Sequence, residues 1–151
     1  TELVARRTNF QTCSRYIAAL EKLDLAECHL LTDSLLQEML RECSLSSIDI
    51  SSCQSLSRTC LGMLAAQENL ESLRIQNCNK LADDLVVAHL GNNLPKLRIL
   101  DVSYNYRLKH LHRMLLSSKS LKFVRIDQCS GLSEMEREKI SLRFGGSSKV
   151  K

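Results

Sequence analysis

Residues 70–78 read Leu-Glu-Ser-Leu-Arg-Ile-Gln-Asn-Cys, and four other stretches of the chain follow the same pattern. In each stretch, apolar residues occupy the first, fourth and sixth positions, and Cys or Asn occupies the ninth. The spacings are 25, 25, 27 and 24 residues, because the copies begin at Leu20, Leu45, Leu70, Leu97 and Leu121. The fifteen apolar positions hold only Leu, Ile or Val, namely Leu20, Leu23, Leu25, Leu45, Ile48, Ile50, Leu70, Leu73, Ile75, Leu97, Leu100, Val102, Leu121, Val124 and Ile126.

This pattern, LxxLxLxx(C/N), is typical of a leucine-rich repeat, in which each unit supplies one short strand. The segment after each strand predicts a helix, because apolar residues recur there at helical spacing. Three of these helices have a hydroxyl residue at the expected N-cap, Thr32, Ser57 or Ser133. Gly91 and Asn92 are expected to end the third helix before Pro95. The sequence therefore predicts an α/β solenoid, a curved parallel sheet of about five strands with helices on its convex side.

The chain divides into four parts around these repeats. Residues 1–19 are expected to form an N-terminal helix or cap, or the end of an upstream repeat. Residues 20–133 are the five repeats, 134–144 a C-terminal capping helix, and 145–151 a disordered tail. Phe10, Cys13, Ile17 and Ala18 are expected to cover the first repeat, and Met135, Ile140 and Phe144 to be the apolar contacts of the capping helix.

Four of the seven cysteines share one repeat position, where Asn105 replaces cysteine in the fourth repeat. We expect Cys28, Cys53, Cys78 and Cys129 to point inward and to hydrogen-bond backbone groups of the neighbouring turn. An odd number of cysteines in a regular ladder favours reduced thiols over disulfides, and hence an intracellular protein.

Several function classes are disfavoured by the sequence. The net charge of +4, without an arginine-rich helix, is too small to indicate a nucleic-acid binder. No apolar run is long enough to insert into a membrane, and no glycine-rich phosphate loop or nucleophile elbow is present. His110 and His112 do not have the spacing of zinc ligands. We therefore expect no enzymatic activity, no metal, no cofactor and no small-molecule substrate.

The residues between the core positions of each strand predict the binding surface, because strand side chains alternate between faces. The first column is Lys22, Ser47, Ser72, Ile99 and Phe123, the second is Asp24, Asp49, Arg74, Asp101 and Arg125, and the third is Ala26, Ser51, Gln76, Ser103 and Asp127. Exposed apolar residues with a charged rim are typical of interface hot spots. The expected partner-binding residues are Asp24, Asp49, Arg74, Ile99, Asp101, Tyr104, Phe123, Arg125 and Asp127. Alternatively, the Asp and Arg column forms an internal ladder of ion pairs, and the apolar side chains face water singly.

The segments Cys-His-Leu-Leu-Thr-Asp at 28–33 and Cys-Asn-Lys-Leu-Ala-Asp at 78–83 resemble the cysteine-containing leucine-rich repeats of F-box and Amn1-type proteins. The resemblance covers about residues 18–135, and no F-box is recognisable in the sequence. It implies an adaptor or substrate receptor of the ubiquitin-ligase kind, with a protein partner, in the cytoplasm or nucleus. The alternative is an assembly subunit of a larger complex, similar to mitochondrial ATP synthase coupling factor B, which would place the protein in mitochondria.

Overall fold

The computed structural model describes residues 1–6, 19–116 and 118–144, and these form one parallel sheet backed by helices. The six strands of this part lie side by side in chain order and pair in parallel throughout. Their bounds are Glu2–Val4 (β1), Lys22–Asp24 (β2), Ser47–Asp49 (β3), Ser72–Arg74 (β4), Ile99–Asp101 (β5) and Phe123–Arg125 (β6). The predicted class, a leucine-rich repeat solenoid, is confirmed.

The core follows the repeat pattern closely. All fifteen predicted core positions are buried, and Leu73 in the middle of the array is fully enclosed. The register joins equivalent residues, so that Leu73 lies between Ile48 and Leu100 on the neighbouring strands. Each repeat therefore covers the apolar side chains of the one before, as expected of stacked units that cannot bury their core alone.

The strand β1 was not predicted. Its sequence, Glu-Leu-Val, is too short to show a period, but Leu3 pairs with Leu23, and Ala5 is buried at the place that Leu25 occupies in the next repeat. The expected helical segment falls mostly on residues 7–18, and the expected tail on residues 145–151, so both lie outside the described part of the chain.

A ladder of polar side chains ties each repeat to its predecessor, as the sequence indicates. The thiol of Cys53 donates to the carbonyl oxygen of Leu25 at 3.2 Å, and the same bond recurs at the other cysteines. The remaining pairs are Cys28 to Ala5 at 3.0 Å, Cys78 to Ile50 at 3.3 Å, Asn105 to Ile75 at 2.8 Å and Cys129 to Val102 at 3.2 Å. These four thiols are buried and free, so they are structural hydrogen-bond donors.

The second layer consists of helices of unequal length. They are Asp33–Arg41 (α1), Leu61–Ala65 (α2, preceded by a 3-10 turn at Arg58–Cys60), Asp84–Asn93 (α3), Leu111–Met114 (α4) and Glu134–Phe144 (α5). Thr32 and Ser57 cap their helical segments as predicted, and the hydroxyl of Ser133 accepts from the backbone N–H of Glu136 at 3.3 Å. Successive helices pack against each other and form the convex layer.

The predicted end of α3 is wrong. The helix continues through Gly91 and Asn92 to Asn93. A Cβ atom at Gly91 would lie 3.2 Å from a methyl carbon of Leu121 and closer still to Leu115. Gly91 therefore lets the helix pack closely against the leucine side chains of the next repeat, and it does not terminate the helix.

At the other end of the array, Arg137 takes the place of a further repeat. Its guanidinium is buried, and it donates to the carbonyl oxygens of Ile126 at 3.4 Å and Leu132 at 3.2 Å, and to that of Cys129. The Ile126 carbonyl is the group to which a cysteine of the next repeat would donate. Ile140 and Phe144 are buried as expected, whereas the prediction for Met135 is wrong, because that side chain is 60% exposed.

Candidate functional site

The concave face presents two columns of side chains in register. In the first column, Ser72 pairs with Ile99 and Ile99 with Phe123. Phe123 is 54% exposed and Ile99 is 39% exposed, although both belong to regular strands. Adjacent strands lie about 4.8 Å apart, so the two side chains form one apolar patch.

The aspartates of the second column have a common arrangement. One carboxylate oxygen accepts the backbone N–H two residues further on, and the other faces an arginine. The backbone bonds are Asp24 to Ala26 at 3.1 Å, Asp49 to Ser51 at 2.9 Å and Asp101 to Ser103 at 3.1 Å. The arginine contacts are Arg6 Nε to Asp24 at 2.7 Å, Arg74 to Asp49 at 3.7 Å and Arg125 to Asp101 at 3.9 Å.

This arrangement divides the predicted binding residues into two groups. The three aspartates are largely enclosed, and Asp101 also accepts from the side-chain amide of Gln76 at 2.9 Å. The arginine side chains remain open, at 47% exposure for Arg74 and 58% for Arg125. Two cross-strand ion pairs of the ladder that the sequence left as an alternative are therefore present, and each has an exposed arginine and an enclosed aspartate.

The third column contributes less to the surface than expected. Ala26, Ser51 and Ser103 are buried, and Asp127 is half-buried with its backbone N–H donating to the hydroxyl of Ser103 at 3.1 Å. The chain turns immediately after each strand, so the side chains of the third column pack against the turn of the neighbouring repeat.

An open groove of about 500 Å³ runs across the concave face along the beginnings of the strands. Near its C-terminal end it is lined by Glu71, Arg74, Arg98, Ile99, Lys122 and Phe123, and Glu2 and Lys22 line the opposite end. The apolar patch thus lies in a groove that other side chains surround. We name this surface, defined by these residues together with Arg125, the concave groove.

Arg98 and Lys122 line the concave groove but were not predicted as binding residues. Each precedes a strand, directly before Ile99 and Phe123 respectively, and both are exposed. Neither side chain has a carboxylate partner among the described residues. The available signal was the second template position, which changes from Glu or Ser in the first three repeats to Arg98 and Lys122 in the last two.

The structure places Tyr104 and Tyr106 apart from the apolar patch. Tyr104 and Tyr106 line a different depression, of about 610 Å³, on the turns that follow the strands. Tyr104 has a φ of 62°, and the equivalent residues of the other repeats also have positive φ values, between 50° and 64°. This backbone conformation directs the chain away from the sheet. Tyr104 and Phe123 are therefore parts of two surfaces.

The described residues show no group of three His, Cys, Asp or Glu side chains that could hold a metal ion. Across that same part of the chain, none of the helices has the length and apolar character needed to cross a membrane.

Comparison with known proteins supports the fold. No protein-family model and no curated protein matches the sequence. A chain in the crystal structure of the Rad7 and Elc1 complex in yeast is similar in three dimensions, with a TM-score of 0.69 and 15% sequence identity. The match covers 93% of this chain and 40% of that one, so the present sequence spans less than half the length of its structural neighbour.

Proposed function

We propose that this protein is a non-catalytic interaction module that holds a protein partner in its concave groove. The observation that carries the proposal is the exposure of Ile99 and Phe123 as adjacent residues of the sheet, with Arg98 and Lys122 beside them. A paired apolar surface inside a charged rim is the usual composition of an interface hot spot. The yeast neighbour was itself crystallised as a complex of two proteins, which is consistent with this use of the fold.

A finer proposal concerns the type of module. The cysteine-containing repeats resemble those of F-box and Amn1-type receptors, and the ladder of reduced thiols is suited to the interior of a cell. We accordingly propose an adaptor or substrate-receptor role of the ubiquitin-ligase kind, inside the cell. No element of the site suggests chemistry on the partner.

The experiment is affinity capture from native cells with wild-type protein and with the double variant Phe123→Ala, Arg125→Ala. Both changed side chains are exposed, so the variant should fold with an unchanged circular dichroism spectrum. Partners held in the groove should be lost. The matched control is Leu85→Ala, Lys139→Ala, which removes an exposed apolar residue and an exposed cation from the helical layer. If the groove variant retains every partner of the wild type, the concave face is not the binding surface.

A second candidate function rests on a separate observation. Met135 and Leu142 lie seven residues apart on α5 and therefore on one side of that helix, and they are 60% and 81% exposed. An apolar face at the end of the array favours an assembly subunit that docks end-on within a larger complex. In that case Met135→Ser, Leu142→Ser should release the partners that the groove variant retains.

A further inference from the structure

We propose that the concave groove binds an extended acidic segment of a partner protein, with one apolar side chain of that segment between carboxylates. This inference rests on the proposed function and adds the chemistry of the partner.

The charge of the groove is the first argument. Arg74, Arg98 and Lys122 line its C-terminal part, and Glu71 is the one acidic residue among the lining residues there. Arg74 is already paired with Asp49 at 3.7 Å, whereas neither Arg98 nor Lys122 has a carboxylate partner among the described residues. These two side chains therefore give the groove positive charge that is available to the carboxylates of a partner.

The distribution of that charge is the second argument. Arg98 and Lys122 lie directly before the apolar patch, and Arg125 lies two residues beyond Phe123 on the same face of β6. Cations therefore flank the patch on both sides. A ligand that contacts Phe123 brings its neighbouring groups close to guanidinium and ammonium ions, which favours carboxylates at those positions.

The dimensions fit a peptide. Arg74 on β4 and Arg125 on β6 are two strand steps apart, about 10 Å, a distance that an extended chain covers in about three residues. A segment running across the strands thus places its apolar residue on Ile99 and Phe123 and has acidic residues within reach of both arginines.

The apolar patch favours a protein over a single-stranded nucleic acid. Bases bind such grooves by stacking on aromatic rings in succession, and Phe123 supplies one ring while its neighbour Ile99 is aliphatic. Tyr104 and Tyr106 belong to the other depression. An aliphatic and an aromatic side chain together suit a leucine, isoleucine or phenylalanine of a partner.

The test measures binding of fluorescein-labelled, end-capped peptides of about nine residues, long enough to cross the groove. The first peptide has a central leucine between aspartates and glutamates, the second replaces every acidic residue by its amide, and the third replaces the leucine by serine. We expect the first peptide to bind, and each of the others to bind at least about tenfold more weakly. Removing one anchoring side chain from an interface typically lowers the affinity by about that factor. Binding of the first should also weaken as salt rises, since exposed charges are screened.

Protein variants assign the binding to the groove. Phe123→Ala, and separately Arg98→Glu with Lys122→Glu, should each reduce affinity for the first peptide by at least about tenfold. Lys139→Glu, a single charge reversal on α5, and Leu85→Ala should leave it within about twofold, since neither residue lines the groove. Equal binding of the three peptides, or equal affinity in the groove variants and the controls, would overturn the proposal. So would an oligothymidylate that binds more tightly than the first peptide and is weakened by Phe123→Ala to the same extent.

The two proposals fail in distinguishable ways. If the peptides do not bind but Phe123→Ala, Arg125→Ala still loses its cellular partners, the groove is a binding surface and the acidic chemistry is wrong. If the first peptide binds through Phe123 but the double variant retains every cellular partner, the chemistry of the groove is right and its assignment as the site of the proposed function is wrong.

Discussion

The side-chain amide of Asn105 donates at 2.8 Å to the carbonyl oxygen of Ile75, one repeat earlier in the solenoid. The same amide reaches Val102, and its own oxygen accepts from the backbone N–H of Cys78. Cysteine, which occupies this position in the other repeats, has a single weak donor. Asn105 thus joins the third and fourth repeats through more hydrogen bonds than the thiols provide elsewhere.

Replacing Asn105 should reveal how much these hydrogen bonds contribute to the free energy of unfolding. Asn105→Ala leaves buried carbonyl and N–H groups unpaired and should lower the free energy of unfolding by about 1–3 kcal/mol. Asn105→Cys should cost less, because the thiol retains the bond to Ile75. Urea denaturation of both variants measures the difference, and equal losses would mean that the ladder bond has no net value at this position.

Leu73 offers the most direct test of the core. It is fully buried between repeats on both sides, so Leu73→Ala should cost about 2–5 kcal/mol through lost contacts and an internal cavity. Leu85→Ala removes the same atoms from a side chain that is 65% exposed and should cost under about 0.5 kcal/mol, as surface substitutions do. Thermal unfolding compares the two, and a Leu73→Ala protein as stable as Leu85→Ala would contradict the register.

The buried thiols predict loss of stability in alkali. Burial raises the pKa of Cys53 and of Cys60 to about 12, and that of Cys78 and of Cys129 to about 11, from the ordinary value of 9.0. A thiol is neutral when protonated, so a raised pKa in the folded state means that the unfolded chain loses its protons first. The contribution of these thiols to stability should be constant below pH 9 and should be lost as pH rises toward 11–12. Ultraviolet absorbance of thiolate should appear near pH 9 in denaturant and only at higher pH in the folded protein.

The same thiols should resist labelling. At neutral pH a maleimide reagent should reach Cys28, Cys53, Cys78 and Cys129 in denatured protein and leave them unmodified in native protein, because all four are buried. Mass spectrometry after brief exposure counts the labels. Rapid modification of these four residues in the native state would contradict the inward-facing ladder.

Arg137 should be necessary for the end of the array. Arg137→Ala removes a donor from three buried carbonyl groups and should cost about 1–3 kcal/mol or more. The loss of stability should be confined to the end of the array, so that amide hydrogens exchange faster in β6 than in β3. Lys139→Ala on the exposed side of the same helix is the control, and uniform exchange across the sheet in Arg137→Ala would argue against a capping role.

The turn after each strand contains a non-glycine residue with a positive φ, and its backbone strain can be relieved by glycine. Gln128 is exposed and has a φ of 56°, a conformation that costs a residue with a Cβ about 1–2 kcal/mol. Gln128→Gly should therefore raise stability by up to about 1 kcal/mol, after the entropy that glycine loses on folding. Gln128→Ala should give no gain, since alanine keeps the Cβ. A destabilised glycine variant would show that the Gln128 side chain has a role that its exposure does not reveal.

The sequence by itself determined the fold, the core and the cysteine ladder, because these depend on the period of the chain. A repeat of LxxLxLxx(C/N) fixes which side chains face inward, and stacking then brings Cys53 to Leu25 and Ile99 to Phe123 with no further information. Structural features that do not repeat along the sequence were missed or wrongly predicted. The strand β1 is too short to show one, and Gly91 resembles a helix end in sequence although it is a packing residue.

Only the tertiary structure decided which predicted surface residues are open. Asp24, Asp49 and Asp101 occupy the same column as Arg74 and Arg125, yet short carboxylates bend back to the N–H groups of the next turn while long guanidinium chains extend into solvent. Tyr104 was expected in the same binding surface as Phe123, but it has a positive φ, lies on the turn after its strand and belongs to a separate surface. The basic rim of Arg98 and Lys122, and the capping bonds of Arg137, join residues from different repeats, and such contacts depend on distances in space that a linear pattern does not contain.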